Sequence, residues 1–105
     1  MKTGKQELVD QINSFGLLDP NYDGEGANAA NPTSIEDCIS FLVLLPEWVP
    51  EPEAGILAEG DVEVYWLDEE LRAILHFPGD GRIVYFMIIN GIRHKGITTF
   101  NKLRR

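Results

Sequence analysis

Cysteine, histidine and long apolar runs are scarce in this sequence of 105 residues. The single cysteine, Cys38, excludes an internal disulfide and any metal site built from several thiolates. No stretch approaches the roughly 18 apolar residues that a membrane-spanning helix needs, and no apolar segment follows the basic N-terminus. We therefore expect a protein of a reducing, cytoplasmic compartment that makes no contact with a membrane.

The signatures of common enzyme classes are also missing. There is no G-x-S-x-G nucleophile turn, no phosphate-binding glycine loop after a strand, and no H-E-x-x-H or H-x-x-x-H pair. The only two histidines are His76 and His94, and nothing in their spacing brings them together. We expect a non-enzymatic protein without a catalytic residue, cofactor or metal. An enzyme that pairs His76 with a nearby carboxylate is the weakest alternative.

Basic residues are few before Gly91. Residues 1–90 hold all 17 acidic side chains and four basic ones, a net charge of −13, whereas the last fifteen residues carry +5. An acidic body repels nucleic acid and anionic membranes and attracts basic proteins. The sequence therefore predicts no direct nucleic-acid binding. Solubility alone is the competing explanation for the charge.

The length and composition of the chain predict one domain over 1–105. A composition of 44% hydrophobic and 25% charged residues is typical of a globular chain. Leu8, Ile12 and Phe15 recur with a helical period, which predicts a helix over about 5–15.

A second helix is predicted over about 34–45. Thr33 and Glu36 have the spacing of a capping box, which indicates a helix start at Thr33. Pro46 ends the helix. Cys38 lies within the apolar stripe of this helix, so we expect it to be a core residue.

Short alternating segments between turn signals predict a four- to five-stranded antiparallel β-meander over about 54–99. The first strand is expected around Ile56, and a short last strand over 92–98. Asn90-Gly91 is the strongest hairpin signal. Helices followed by strands indicate an α+β fold with two N-terminal helices packed on the sheet.

Two segments lie outside these elements. The linker 47–52 contains two prolines and is predicted to run extended and to tuck Trp48 against the domain. Residues 100–105 are predicted to form a basic tail.

Three short motifs carry a family resemblance: the loop Asn21–Ala27, the helix end Phe41–Pro46, and the segment Gly60–Trp66. Together they resemble a widespread group of small bacterial proteins with an aromatic-Asp-Gly-x-Gly-Ala loop, a helix ending in Leu-Pro, and a strand ending in Trp. The family usually has Trp where this chain has Tyr22. The likeness covers about residues 17–100 and implies a bacterial or phage-like origin. It implies no activity, because the group has none established.

The segment 19–24 matches the opening of a calcium-binding loop, in which Asp19, Asn21 and Asp23 would supply oxygens. The match ends there, because Ala30 occupies the position of the bidentate carboxylate. A turn in which these side chains bond their own backbone is the simpler interpretation. A weak calcium- or small-ligand-binding domain centred on this loop is the alternative function.

Acidic residues crowd around tryptophan in the linker and the first turns of the meander. If those turns share one end of the sheet, the carboxylates form a ridge that suits a basic protein partner. We expect a protein-interaction domain, such as an inhibitor, an antitoxin or a phage-encoded blocker of nucleic-acid-handling proteins. The predicted protein-binding residues are Glu47, Trp48, Glu51, Glu53, Glu59, Asp61, Glu63, Asp68, Glu69 and Glu70.

Overall fold

The computed structural model describes residues 4–22, 24–69 and 71–99 and shows an α+β fold, with two N-terminal helices and a five-stranded antiparallel sheet. A 3-10 turn over Phe15–Leu17 follows the first helix. The elements are α1 (Gly4–Ser14), α2 (Pro32–Leu44), β1 (Glu53–Ile56), β2 (Val62–Leu67), β3 (Leu71–Phe77), β4 (Arg82–Ile89) and β5 (Ile92–Thr99).

The sheet is a simple meander, with strand order β1-β2-β3-β4-β5. Val64 pairs with Leu75, and Leu75 pairs with Tyr85, so these three side chains share one face of the sheet. The helices cover this face: α2 contacts β2 and β3, and α1 contacts β1. The opposite face has no helix over it in the described part of the chain, and we call it the open face.

The core lies between α2 and the covered face. This packing explains why apolar residues alternate along β2 and β3. Val62, Val64 and Phe77 are fully buried against the core, while their strand neighbours point to the open face. Cys38 is buried in the same cluster, as predicted. Burial raises the pKa of its thiol to about 12, with a smaller contribution from the Asp37 carboxylate.

The start of α2 differs from the capping-box prediction. The N-cap is Asn31, not Thr33, and its side-chain oxygen accepts a hydrogen bond from the Thr33 N–H at 3.2 Å. Pro32 occupies the first helical turn, where its missing N–H costs nothing. With Asn31 as the N-cap, the helix begins two residues earlier than a cap at Thr33 would place it.

The two edge strands also differ from their expected bounds. β1 covers Glu53–Ile56, so Ile56, around which the strand was predicted, is its last residue and not its centre. β5 is not short, because it runs for eight residues beside the equally long β4. The turn between them is the predicted one: Asn90 and Gly91 both have positive φ, 52° and 80°, as a type I′ hairpin turn requires.

Within the described ranges, no helix combines the length and hydropathy needed to cross a bilayer. The basic tail predicted for 100–105 lies outside the described residues.

Candidate protein-binding surface

The linker between α2 and β1 is held against the end of β2. The indole N–H of Trp66 donates a hydrogen bond of 2.6 Å to the carbonyl of Pro50. At the helix end, the Lys5 ammonium donates to the carbonyl of Leu45 at 2.9 Å. These two bonds fix both ends of the linker, so the residues between them have a defined position on the domain.

Trp48 points out of the domain rather than into it. Its side chain is 82% exposed, so the prediction that the linker tucks Trp48 against the domain is wrong. The turn closed by the bond from Val49 N–H to the Pro46 carbonyl reverses the chain at this point. Trp66 occupies the half-buried position instead and anchors the linker through Pro50.

Other large apolar side chains are exposed on the elements that flank the linker. Val43 and Leu44, in the last turn of α2, are 62% and 60% exposed, and Leu67, at the end of β2, is 73% exposed. Exposed carboxylates lie on the linker itself, at the start of β1 and in the β2–β3 turn. We call this group the Trp48 surface; it comprises Val43, Leu44, Glu47, Trp48, Glu51, Glu53, Leu67, Asp68 and Glu69.

The remaining predicted carboxylates lie elsewhere. Successive turns of a meander alternate between the two ends of the sheet, so Glu59, in the β1–β2 turn, lies at the end opposite Asp68. The six residues of β2 separate the two ends by about 16 Å. Glu63 lies between them on the open face, and Glu70 falls outside the described residues. The ten predicted residues therefore do not form one continuous ridge.

The Asp61 carboxylate is hydrogen-bonded within the domain, to His76 and to Asn31. One of its carboxylate oxygens lies 2.8 Å from His76 Nε2, and the other accepts a bond of 3.3 Å from the Asn31 amide. The Asn31 amide also donates to the Pro78 carbonyl at 3.1 Å. These contacts connect the start of α2 to two turns of the sheet.

The proximity of Asp61 to His76 was not among the predictions from the sequence. The register of the β2–β3 hairpin carries the signal, because it pairs Glu63 with His76 and Val62 with Phe77. Once the turn after Leu67 is recognised, that register places Asp61, the residue before Val62, close to His76.

A cavity of about 240 Å³ opens beside the linker. Lys5, Leu42 and Val49 line it, together with carboxylates of the Trp48 surface, and His76 does not. The cavity therefore adds an apolar recess next to Trp48 and gives no support to catalysis by His76.

The Asn21 side chain is used by its own loop. Its side-chain oxygen accepts a hydrogen bond of 2.6 Å from the Gly26 N–H, and its backbone N–H donates to Ala27 O at 2.6 Å. Asn21 has a positive φ of 65°, which asparagine tolerates in tight turns. Asp23 lies outside the described residues, and the described ones contain no group of three or more acidic, histidine or cysteine side chains placed to hold a metal.

Two close contacts between a carboxylate and a nitrogen-bearing side chain occur among the residues that the structure describes: the Asp61–His76 hydrogen bond and the Asp80–Arg82 ion pair. Neither involves the carboxylates of the Trp48 surface.

Comparison with protein-family models, with curated proteins and with solved structures finds no match to this chain.

Proposed function

We propose that this protein is a non-enzymatic interaction domain that docks its Trp48 surface on a basic protein. The observation that carries the proposal is the exposure of Trp48, 82%, on a surface that mixes apolar side chains with carboxylates. Tryptophan is among the residues that contribute most to binding energy in protein interfaces. Carboxylates around an apolar anchor steer a basic partner and fix its orientation.

The charge of the chain favours a partner of one sign. With a net charge of −8, the protein attracts basic surfaces over distances of about 10 Å at 0.1 M salt. Proteins that handle nucleic acids present such surfaces to phosphates, and carboxylates can occupy them in place of phosphates. Within the cytoplasm, this chemistry suits an inhibitor, an antitoxin or a phage-encoded blocker, and it involves no direct contact with nucleic acid or membrane.

The test is a comparative capture experiment with three immobilised variants beside the wild type. Trp48→Ala removes the apolar anchor, and Glu47→Lys combined with Glu69→Lys reverses two charges of the Trp48 surface. Glu59→Lys reverses a charge at the other end of the sheet and is the matched control. Mass spectrometry identifies what each variant retains from a bacterial lysate.

We expect a basic protein that the wild type and Glu59→Lys retain and that the other two variants lose. Capture that is equal on all four proteins would contradict the proposal, because binding would then not depend on the Trp48 surface. Loss of capture with Glu59→Lys alone would move the binding site to the opposite end of the sheet.

A further inference from the structure

Strand β5 presents a long free edge. It is the last strand of the sheet, and no described strand pairs with its outer side. It runs for eight residues, whereas β1, at the other edge, has four. Seven of the eight residues of β5 are exposed. A free strand edge carries unpaired backbone N–H and C=O groups that can accept a further strand.

The hairpin register identifies which backbone groups face outward. In a two-residue hairpin the residues that flank the turn, here Ile89 and Ile92, exchange both backbone hydrogen bonds. Every second residue from Ile92 therefore bonds to β4, and the residues between bond outward. The outward set is Arg93, Lys95, Ile97 and Thr99.

The side chains of the same residues lie on the open face. Arg93, Lys95 and Ile97 pair with Ile88, Phe86 and Val84, respectively. The intervening β4 residues, Tyr85 and Met87, pack against the core, so these three pairs lie on the opposite side. Phe86 is 40% exposed and Ile97 is 60% exposed. The outward edge thus combines free backbone groups, two basic side chains and an apolar strip.

We infer that β5 accepts an extended acidic segment of a partner polypeptide as a sixth strand. Charge complementarity selects this occupant: Arg93 and Lys95 are two adjacent positive positions on a chain whose first 90 residues carry a net charge of −13. A second copy of β5 would bring four basic side chains together on one face, which disfavours a dimer through this edge.

The register of β5 also predicts the amino-acid pattern of the partner segment. Its alternate residues on the open face are acidic opposite Arg93 and Lys95 and apolar opposite Ile97, since added strands pair residue by residue. In the antiparallel direction this reads apolar-x-acidic-x-acidic. This surface is separate from the Trp48 surface and does not depend on the function proposed for it.

The probe is the blocked peptide Thr-Val-Thr-Glu-Thr-Glu-Thr, and its control has lysine in place of both glutamates. Amide hydrogen exchange of the full chain is followed by NMR with and without each peptide. Without peptide, we expect fast exchange at Arg93, Lys95 and Ile97 and slow exchange at His94 and Thr98, which bond to β4. The glutamate peptide should slow the three outward amides by about tenfold or more, while the lysine peptide should leave them unchanged.

A charge swap separates edge binding from general attraction. The double variant Arg93→Glu with Lys95→Glu should lose the glutamate peptide and gain protection from the lysine peptide, while slow exchange at His94 shows that β5 remains folded. Arg72→Glu makes a similar change in the interior of the open face and should leave the binding of the glutamate peptide intact.

Three outcomes would overturn the inference. The first is that the glutamate peptide does not slow exchange at the outward amides. Arg93 and Lys95 would then serve only to prevent the edges of two sheets from pairing. Protection of the same amides in the free protein, together with a dimeric mass in sedimentation, would assign the edge to a second copy. Equal weakening by Arg72→Glu would mean that the peptide responds to charge on the whole face.

Discussion

At the scale of single residues, the exposure of Trp48 is the property on which the proposed function depends. Trp66, the other tryptophan, is half-buried and bonded to the Pro50 carbonyl. The two side chains should therefore differ in fluorescence. Trp48→Phe should shift the emission maximum to shorter wavelength and reduce quenching by acrylamide, because only the shielded Trp66 remains. Trp66→Phe is the matched control and should shift both in the opposite direction.

The same measurement can contradict the structure. If Trp48→Phe left both the emission maximum and the quenching unchanged, Trp48 would be shielded in solution. The apolar anchor of the Trp48 surface would then be absent from the free protein.

Cys38 makes stability depend on alkaline pH. In the unfolded chain its thiol is open to water and has the ordinary pKa of 9.0, whereas burial raises the pKa to about 12 in the folded protein. Between these values the unfolded state releases a proton that the folded state retains, so stability falls as pH rises. The slope from this group is at most about 1.4 kcal/mol per pH unit between pH 9 and pH 12.

Urea unfolding at pH 8, 9.5 and 10.5 tests this dependence against Cys38→Ala. The wild type should lose more stability with rising pH than the variant does, because the variant lacks the thiol. Parallel pH profiles for the two proteins would show that the folded-state pKa of Cys38 is not raised.

At the scale of elements, one buried hydroxyl joins α2 to the sheet. Ser34 donates a hydrogen bond to the Phe77 carbonyl and accepts one of 2.8 Å from the Val62 N–H. Val62 and Phe77 are paired residues of β2 and β3, so the hydroxyl lies at the end of that hairpin. No buried side-chain N or O atom of the described residues lacks a hydrogen-bond partner.

Ser34→Ala should lower the free energy of unfolding by about 2–4 kcal/mol, because the Val62 N–H and the Phe77 carbonyl both lose the hydroxyl that is their hydrogen-bond partner. The exposed Ser14→Ala is the control, and it should change stability by about 0.5 kcal/mol or less. Chemical denaturation measures both. Equal small effects would mean that the backbone groups of Val62 and Phe77 find other partners without the serine.

Much of this element level can be predicted from the sequence. Periodicity and turn residues give both helices, the meander order and the hairpin at Asn90-Gly91, because each is a local property of the chain. The helix start at Asn31 is harder, since Thr33 offers an equally good local cap. What selects Asn31 is its amide, which bonds to Asp61 and to Pro78 O, and these contacts exist only in the folded chain.

The candidate site is less predictable for a similar reason. The direction of the Trp48 side chain depends on which tryptophan anchors the linker, and that choice is made by the tertiary bond from Trp66 to Pro50. The separation of Glu59 from Asp68 was within reach of the sequence. It follows from the meander order alone, because successive turns fall at opposite ends of the sheet.

At the scale of the whole molecule, charge is divided between two edges of one sheet. The carboxylates of the Trp48 surface lie on the side of β1 and β2, and Arg93 and Lys95 lie on β5. The β2–β3 turn, which carries Asp68 and Glu69, lies two to three strand spacings from β5, about 10–14 Å. This distance exceeds the screening length at physiological salt, about 8 Å. The two surfaces should therefore act independently toward partners of opposite charge.

The most direct test of the central claim is calorimetric titration of the captured partner at 50 and 300 mM salt. We predict that binding by the wild type weakens at the higher salt, since charge contributes to it. Glu47→Lys with Glu69→Lys should lower the affinity by about tenfold or more at low salt, and Glu59→Lys by about threefold at most. An affinity that is independent of salt, or equally reduced by the two charge changes, would contradict docking through the Trp48 surface.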